Sequence, residues 1–202
     1  MVRPNREYRF APMFEVRAKE NESESYIVEG YATTFNDAYV LYTDENGNEY
    51  REIVDSKAID ENTDTKDVIF VRDHEGTVFA RTKNGSLKLE TDEHGLKVIA
   101  NLSLSASARN AYEEFKAGLY DQMSFAFVVD DEEYNSKTRT RTIKHIRKLY
   151  DTSFVGFPAN PNTDIATRSL IDGFVEIEEA ERLQREKEVL LAREKYRYEK
   201  EK

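Results

Sequence analysis

Residues 121–129 read DQMSFAFVV, a run of strand-forming residues that carries a single serine. Side chains alternate between the two faces of a strand, so Phe125 and Phe127 share one face and Ser124 shares the other with Ala126. Both faces are apolar, which predicts a strand buried on both sides. A hydroxyl in such a place needs a hydrogen-bond partner. Ser124 is therefore either a small polar filler or a group held there to react.

The composition limits the classes of protein to consider. The chain has 202 residues, typical of one domain with an appendage, and a net charge of −10, which argues against broad binding to nucleic acid or anionic membranes. It contains no cysteine, so we expect no disulfide framework, thiol nucleophile or thiolate metal site. No stretch approaches 18 consecutive apolar residues, and the first twenty residues have no apolar core of signal-peptide length, so we expect neither a membrane span nor a signal peptide.

Most of the chain between residues 8 and 170 has the pattern of short strands separated by turns. The pattern predicts a hairpin over 85–104, a helix over Ala106–Leu119, the strand of Ser124, a polar loop over 130–141 and a last long strand over Ile143–Phe157. The sequence therefore predicts a domain that is mostly β with one clear internal helix.

The pattern changes near Gly173. The last thirty residues have few apolar side chains, and pairs such as Glu178 and Arg182 stand four apart, which supports a solvated helix. We expect a domain over 1–172 and a charged helical tail over 173–202. A second hypothesis is a docking or dimer helix, although the heptad spacing does not persist as a coiled coil requires.

Three histidines are candidates for chemistry. His74 comes directly after the predicted buried strand VIFV, His94 lies at a hairpin tip, and His145 lies in the charged segment RTIKHIRK. A histidine at a strand end can be held firmly, either as a base or as a structural hydrogen-bonding residue. The chain has no HxH or HExxH spacing, so we predict no metal site.

A carboxylate stands late in the chain. Asp151 is either an edge-strand acid facing water or a buried carboxylate that needs a donor such as an imidazole N–H. Ser124, His74 and Asp151 would then form a serine, histidine and acid constellation. A serine hydroxyl is a weak nucleophile until a base removes its proton, and a carboxylate fixes the tautomer of that base. The chain has no GxSxG motif, which argues against an α/β-hydrolase.

Six segments of the chain, in order between Tyr26 and Asn162, resemble the prohead (procapsid maturation) serine proteases of tailed phages, distant relatives of the herpesvirus assemblins. They are YIVEGYATTFN, YREIVDSKAID, VRDHEGTVFART, TDEHGLKVIANL, GLYDQMSFAFVV and DTSFVGFPANP. The chain departs from the family pattern at Ser56–Ile59, at Ala80 and Ala126, where the family has glycine, and at Asp151, where it has glutamate. The two alanines add a methyl group beside the implied catalytic strands but do not remove a reacting group.

The resemblance implies a fold and a site. The fold is an α+β one, mostly β, with a closed or nearly closed barrel of orthogonally packed strands flanked by helices and followed by the charged C-terminal helix. The implied catalytic residues are Ser124 as nucleophile, His74 as general base and Asp151 as the orienting acid. Related viral proteases use a second histidine as the third member, so His145 is the alternative to Asp151. We expect backbone N–H groups around residues 159–160 to form the oxyanion hole.

The resemblance also implies a function. It is that of a serine endopeptidase of capsid maturation, acting in the host cytoplasm inside the procapsid without a cofactor. Its substrates and partners would be the capsid scaffold or the scaffold-like arm of the major capsid protein, and the protease itself; a homodimer or higher oligomer is compatible with this. We expect no nucleic acid or membrane partner. The alternatives are a non-catalytic scaffold or assembly protein on the same fold, and a barrel that binds a small ligand.

Overall fold

The computed structural model describes residues 6–11, 17–18, 26–156 and 165–200. Within them lie eleven strands and two α-helices. The strands are β1 (Glu7–Ala11), β2 (Arg17–Ala18), β3 (Ile27–Thr34), β4 (Tyr39–Thr43), β5 (Glu49–Val54), β6 (Ile69–Arg72), β7 (Glu75–Arg81), β8 (Leu87–Thr91), β9 (Gly95–Asn101), β10 (Gln122–Asn135) and β11 (Thr140–Val155). The helices are α1 (Ala106–Lys116) and α2 (Ile165–Lys200), and a short 3-10 helix spans Thr82–Asn84.

The strands form two sheets. One has seven strands in the order β1–β10–β11–β5–β4, with β6 also paired to β11 and β7 paired to β6; the other has the order β2–β3–β9–β8. β11 is the centre of the larger sheet, because it pairs with β10, β5 and β6 along different parts of its length. The mixed α+β class, mostly β with helices, is confirmed. No closed barrel is found among the strands of the described residues, which group into these two sheets.

The main core lies between the sheets and α1. It contains Phe125 and Phe127 of β10, Val98 of β9 and Phe115 of α1. β10 is buried on both faces from Met123 to Val128, as its alternating pattern predicts. The side chains that share the other face with Ser124 are buried outside this core cluster. That face of β10 is therefore where a polar group can lie without disrupting the apolar core.

The helix α1 begins and ends for local reasons. The Ser105 hydroxyl caps its first turn by accepting a hydrogen bond from the backbone N–H of Ala108 at 3.1 Å. Gly118 has a φ of 72°, the left-handed conformation that commonly ends a helix. The helix predicted over Ala106–Leu119 therefore ends slightly earlier, at Lys116.

The prediction of a polar loop over residues 130–141 is wrong. β10 continues to Asn135, and β11 begins at Thr140, so the two strands extend together as an antiparallel ribbon. The charged side chains of this ribbon are mostly exposed, which is why the segment has the composition of a loop. Phe157, the predicted end of the last strand, lies outside the described residues.

The helix α2 begins before the predicted tail boundary. Its first turns pack on the domain, because Ile171 and Phe174 are buried in a small cluster with Tyr50. The ring of Phe174 stacks on that of Tyr134 with centroids 4.0 Å apart. The large apolar side chains from Leu183 onward are exposed. Neither described helix is long and apolar enough to cross a membrane.

A group of buried charges joins β1, β5 and β11. Glu52 is 0% exposed, and its carboxylate accepts from the Arg9 Nε at 2.6 Å and from the Arg141 Nη1 at 2.6 Å. The Tyr39 hydroxyl donates to the same carboxylate. Burial alone would raise the pKa of Glu52, but the charges of Arg9 and Arg141 outweigh it and lower that pKa to about 2.

We expect Glu52→Gln to destabilise the fold at neutral pH by about 3 kcal/mol, because it removes the fully buried anion that Arg9 and Arg141 share and leaves the partly buried Glu7 as the anion common to both. The pKa of Glu52 is lower in the folded chain than in the unfolded one, so its ionisation contributes stability above pH 4.5 that is lost as the pH falls toward 2. The gap between wild type and variant should shrink over that range. Denaturant unfolding at several pH values measures it.

Glu49→Gln, the same change at an exposed position of β5, is the matched control and should cost much less. Equal stability losses for the two variants would show that the buried carboxylate has no special role.

Candidate active site

Ser124 lies on β10 between two neighbouring strands. Its backbone is opposite Phe10 of β1 on one side and opposite Ser153 of β11 on the other. The Ser124 side chain is 0% exposed. Its Oγ lies 2.6 Å from the His74 Nε2 and 2.7 Å from the carbonyl oxygen of Arg9. The hydroxyl predicted to need a partner therefore has two.

His74 is placed by a tight hairpin turn between β6 and β7. Arg72 and Glu75 pair across it, which leaves Asp73 and His74 as a two-residue loop. Their φ values are 48° and 62°. Positive φ at both central residues is the requirement of a type I′ turn, which suits the twist of the two strands and usually contains glycine. His74 thus occupies a left-handed position that costs a side chain some strain.

Asp151 lies on β11, opposite Ala126 of β10, and is buried. Its Oδ1 is 2.5 Å from the His74 Nδ1, while its Oδ2 accepts from the Arg6 guanidinium. Of the two hypotheses drawn from the sequence, the one that made Asp151 an edge-strand acid facing water is wrong. Asp151 is the buried carboxylate that an imidazole N–H contacts.

Three further residues contact the site and were not predicted from the sequence. Ser153 lies two residues after Asp151 on the same face of β11, and its Oγ donates to the Asp151 Oδ1 at 2.9 Å. The Tyr8 ring packs edge-on against the His74 ring with centroids 4.6 Å apart. The Arg6 guanidinium lies over the Tyr150 ring, 4.5 Å from its centroid. The spacing of Asp151 and Ser153 is the one signal in the sequence that could have revealed any of them.

The hydrogen bonds fix the proton positions around the imidazole. The Nδ1 of His74 faces the Asp151 carboxylate, so we assign its proton there, which leaves the Nε2 lone pair for the Ser124 hydroxyl. That hydroxyl has one proton and two acceptors within reach, the His74 Nε2 and the Arg9 carbonyl. Transfer to the imidazole requires the proton to point toward His74.

The other candidate residues lie elsewhere or outside the described part of the chain. His145 precedes Asp151 by six residues on β11, a separation of roughly 20 Å along a strand. Its Nδ1 lies 2.5 Å from Asp130, whose hydrogen bond outweighs burial and raises the pKa of His145. Residues 159–160, expected to form an oxyanion hole, are outside the described residues. No group of three metal-ligating side chains occurs among the residues described.

Consecutive hydrogen bonds join a buried serine, a histidine and a carboxylate on this mostly β domain. Such an arrangement is typical of a serine hydrolase. The sequence model of the family described as caudovirus prohead serine protease matches residues 13–174, which is most of the chain. The chain therefore belongs to this family. The match includes β6 to β11 and every residue of the constellation, and it ends at Phe174, the last side chain that α2 buries on the domain.

No curated protein and no solved structure matches the chain significantly.

Proposed function

We propose that this protein is a serine endopeptidase of capsid maturation, in which Ser124 is the nucleophile, His74 the general base and Asp151 the orienting carboxylate. The observation that carries the proposal is the pair of contacts made by one imidazole, 2.6 Å to the Ser124 Oγ and 2.5 Å to the Asp151 Oδ1. Membership of a family of serine proteases supports it independently.

The mechanism follows from these contacts. His74 takes the hydroxyl proton on Nε2 as the Ser124 Oγ attacks the scissile carbonyl carbon, and the carbonyl oxygen gains the negative charge. The tetrahedral intermediate then collapses: the C–N bond breaks, and the leaving amine takes the proton from His74. Water, deprotonated by the same imidazole, hydrolyses the acyl-enzyme and releases Ser124. Asp151 keeps the imidazole in the productive tautomer and stabilises the imidazolium throughout.

The proposed substrates are proteins of the assembling capsid. The family is named for the prohead, and this favours the scaffold, or a scaffold-like arm of the major capsid protein, as the chain that is cut, with the protease itself as a further substrate. Ser124 is buried, so a substrate peptide must displace the groups that cover its hydroxyl. The hydrogen bond from Ser124 to the Arg9 carbonyl must also break when the hydroxyl turns to His74.

We expect Ser124→Ala and His74→Ala each to reduce cleavage by on the order of 10⁶, and the double variant to be no worse, because members of one catalytic unit are not additive. The full chain is incubated with its phage's scaffold and capsid proteins, and new N-termini are sequenced.

Ser86→Ala, which removes another buried serine hydroxyl away from the site, is the control for folding. Undiminished cleavage by a folded Ser124→Ala protein contradicts the proposal. A folded wild type that leaves both capsid proteins intact favours the alternative, a non-catalytic assembly protein.

We expect Asp151→Asn to lower the turnover rate by about 10⁴ at most, because an amide accepts the imidazole N–H poorly and favours the wrong tautomer. His145→Gln should stay near the wild-type rate, since His145 bonds to Asp130 and not to this site. Steady-state cleavage of one peptide by all three proteins decides the matter. If Asp151→Asn cleaves at nearly the wild-type rate and His145→Gln is inactive, the residue that orients His74 is His145.

We also propose that residues 1–172 carry the protease domain and residues 173–202 form the charged helical tail, dispensable for chemistry. A truncation after Arg182 should retain full stability, whereas one after Asp172 removes the buried Phe174 ring and should cost roughly 2 kcal/mol. Both should still cut a short peptide. Loss of peptide cleavage by the folded chain that ends at Arg182 would give the tail a catalytic part.

A further inference from the structure

Ser153 is fully buried and lies between the acid and the base of the proposed site. Its Oγ is 2.9 Å from the Asp151 Oδ1, 3.1 Å from the His74 Nδ1 and 3.2 Å from the backbone N of His74. A hydroxyl group has one proton to donate and two lone pairs that accept. The three contacts use all of them when the Ser153 proton goes to Asp151 and the Ser153 oxygen accepts from the backbone N–H of His74 and, shared with Asp151, from the imidazole Nδ1–H.

This arrangement selects one imidazole tautomer. The Nδ1 of His74 faces two oxygens, those of Asp151 and Ser153, and both can accept from an N–H. If Nδ1 lacked its proton, its lone pair would face the carboxylate, which has none to donate, and the Ser153 hydroxyl could donate to it only by giving up its hydrogen bond to Asp151. The hydroxyl therefore acts with the carboxylate to leave the lone pair on Nε2, where Ser124 lies.

The same hydroxyl also holds the strained turn. His74 and Asp73 have positive φ values, and the backbone N–H of each is bound to β11: that of Asp73 donates to the Phe154 carbonyl at 3.0 Å, and that of His74 to the Ser153 Oγ. A residue in a disfavoured conformation stays there only when its surroundings fix it. Ser153 is the side chain that fixes the backbone from which the imidazole extends.

We propose that Ser153 is a positioning residue of the catalytic site, which sets both the tautomer and the place of His74 through hydrogen bonds to its ring and its backbone. This inference rests on the proposed function, because it concerns the base of that reaction. Ser153 would act indirectly, through its hydrogen bonds to Asp151 and His74.

A fluorophosphonate probe tests the effect on the nucleophile without a known substrate. The Ser124 Oγ forms a bond to phosphorus as the P–F bond breaks and fluoride leaves, while His74 takes the hydroxyl proton. We expect Ser153→Ala to be labelled about 10–100 times more slowly than wild type, since a small misplacement of a catalytic group costs that much. Ser153→Thr, which keeps the hydroxyl, should recover most of the rate.

Thr152→Val is the matched control. Thr152 is the neighbouring residue, equally buried and on the opposite face of β11, and its hydroxyl has no hydrogen-bond partner among the described residues. We expect it to be labelled at the wild-type rate. Thermal unfolding of each variant checks that it is folded.

Nitrogen NMR of the imidazoles provides a readout that does not depend on activity. The chain has only three histidines, so the His74 signals are assigned by comparison with His74→Gln. In the neutral imidazole, wild type should show His74 with the proton on Nδ1, and Ser153→Ala should show a larger share of the Nε2–H form. A folded Ser153→Ala protein with wild-type labelling and an unchanged tautomer overturns the positioning role while leaving the proposed function intact. A wild type that neither reacts at Ser124 nor cleaves removes the proposed function itself.

Discussion

The arrangement of the larger sheet depends on the ion pairs that the buried Glu52 carboxylate makes with two arginines. The carboxylate lies between the guanidinium groups of Arg9 and Arg141 and so ties β1, β5 and β11 together. A buried ion group of this kind adds little net stability over apolar packing, but removing one member leaves an uncompensated charge. The sequence positions of these three residues are far apart, so the group forms only when the strands are correctly assembled. It therefore selects one arrangement of β1 against the central strands.

The position of β1 matters because its residues reach every member of the proposed site. Arg6, just before the strand, binds the Asp151 carboxylate, the Tyr8 ring packs on His74, and the Arg9 carbonyl accepts from the Ser124 hydroxyl. Arg9 thus serves both regions: its side chain anchors the strand through Glu52, and its backbone carbonyl accepts from the Ser124 hydroxyl. The position of β1 therefore affects both the stability of the fold and the geometry of the site. A change in the buried charges should shift the groups that contact Ser124.

The sequence predicted those parts of the site that have a pattern. The alternation around Ser124 predicted a strand buried on both faces, and VIFV predicted the strand that ends before His74; both lie as expected. The residue types suggested a constellation of these residues with Asp151, and the family resemblance assigned their roles, because periodicity says nothing about which distant strands meet. The charged ribbon over 130–135 has the composition of a loop, so the sequence did not predict that β10 continues through it. Ser153 was not predicted, because its one signal, the two-residue spacing from Asp151, shows a shared face of the strand but not the contact with His74.

The conformation of the turn that carries His74 favours the hypothesis of an enzyme over that of a non-catalytic assembly protein. A two-residue hairpin with positive φ at both positions is least strained with glycine or asparagine, yet this chain places aspartate and histidine there. A purely structural protein gains nothing from an imidazole at a strained position beside a buried carboxylate and a buried serine. Strain of this kind is found where function requires a particular side chain, and the surrounding hydrogen bonds compensate for it. Here β11 supplies those bonds through the Phe154 carbonyl and the Ser153 hydroxyl, so the strand that carries Asp151 also holds His74 within hydrogen-bond reach of Ser124.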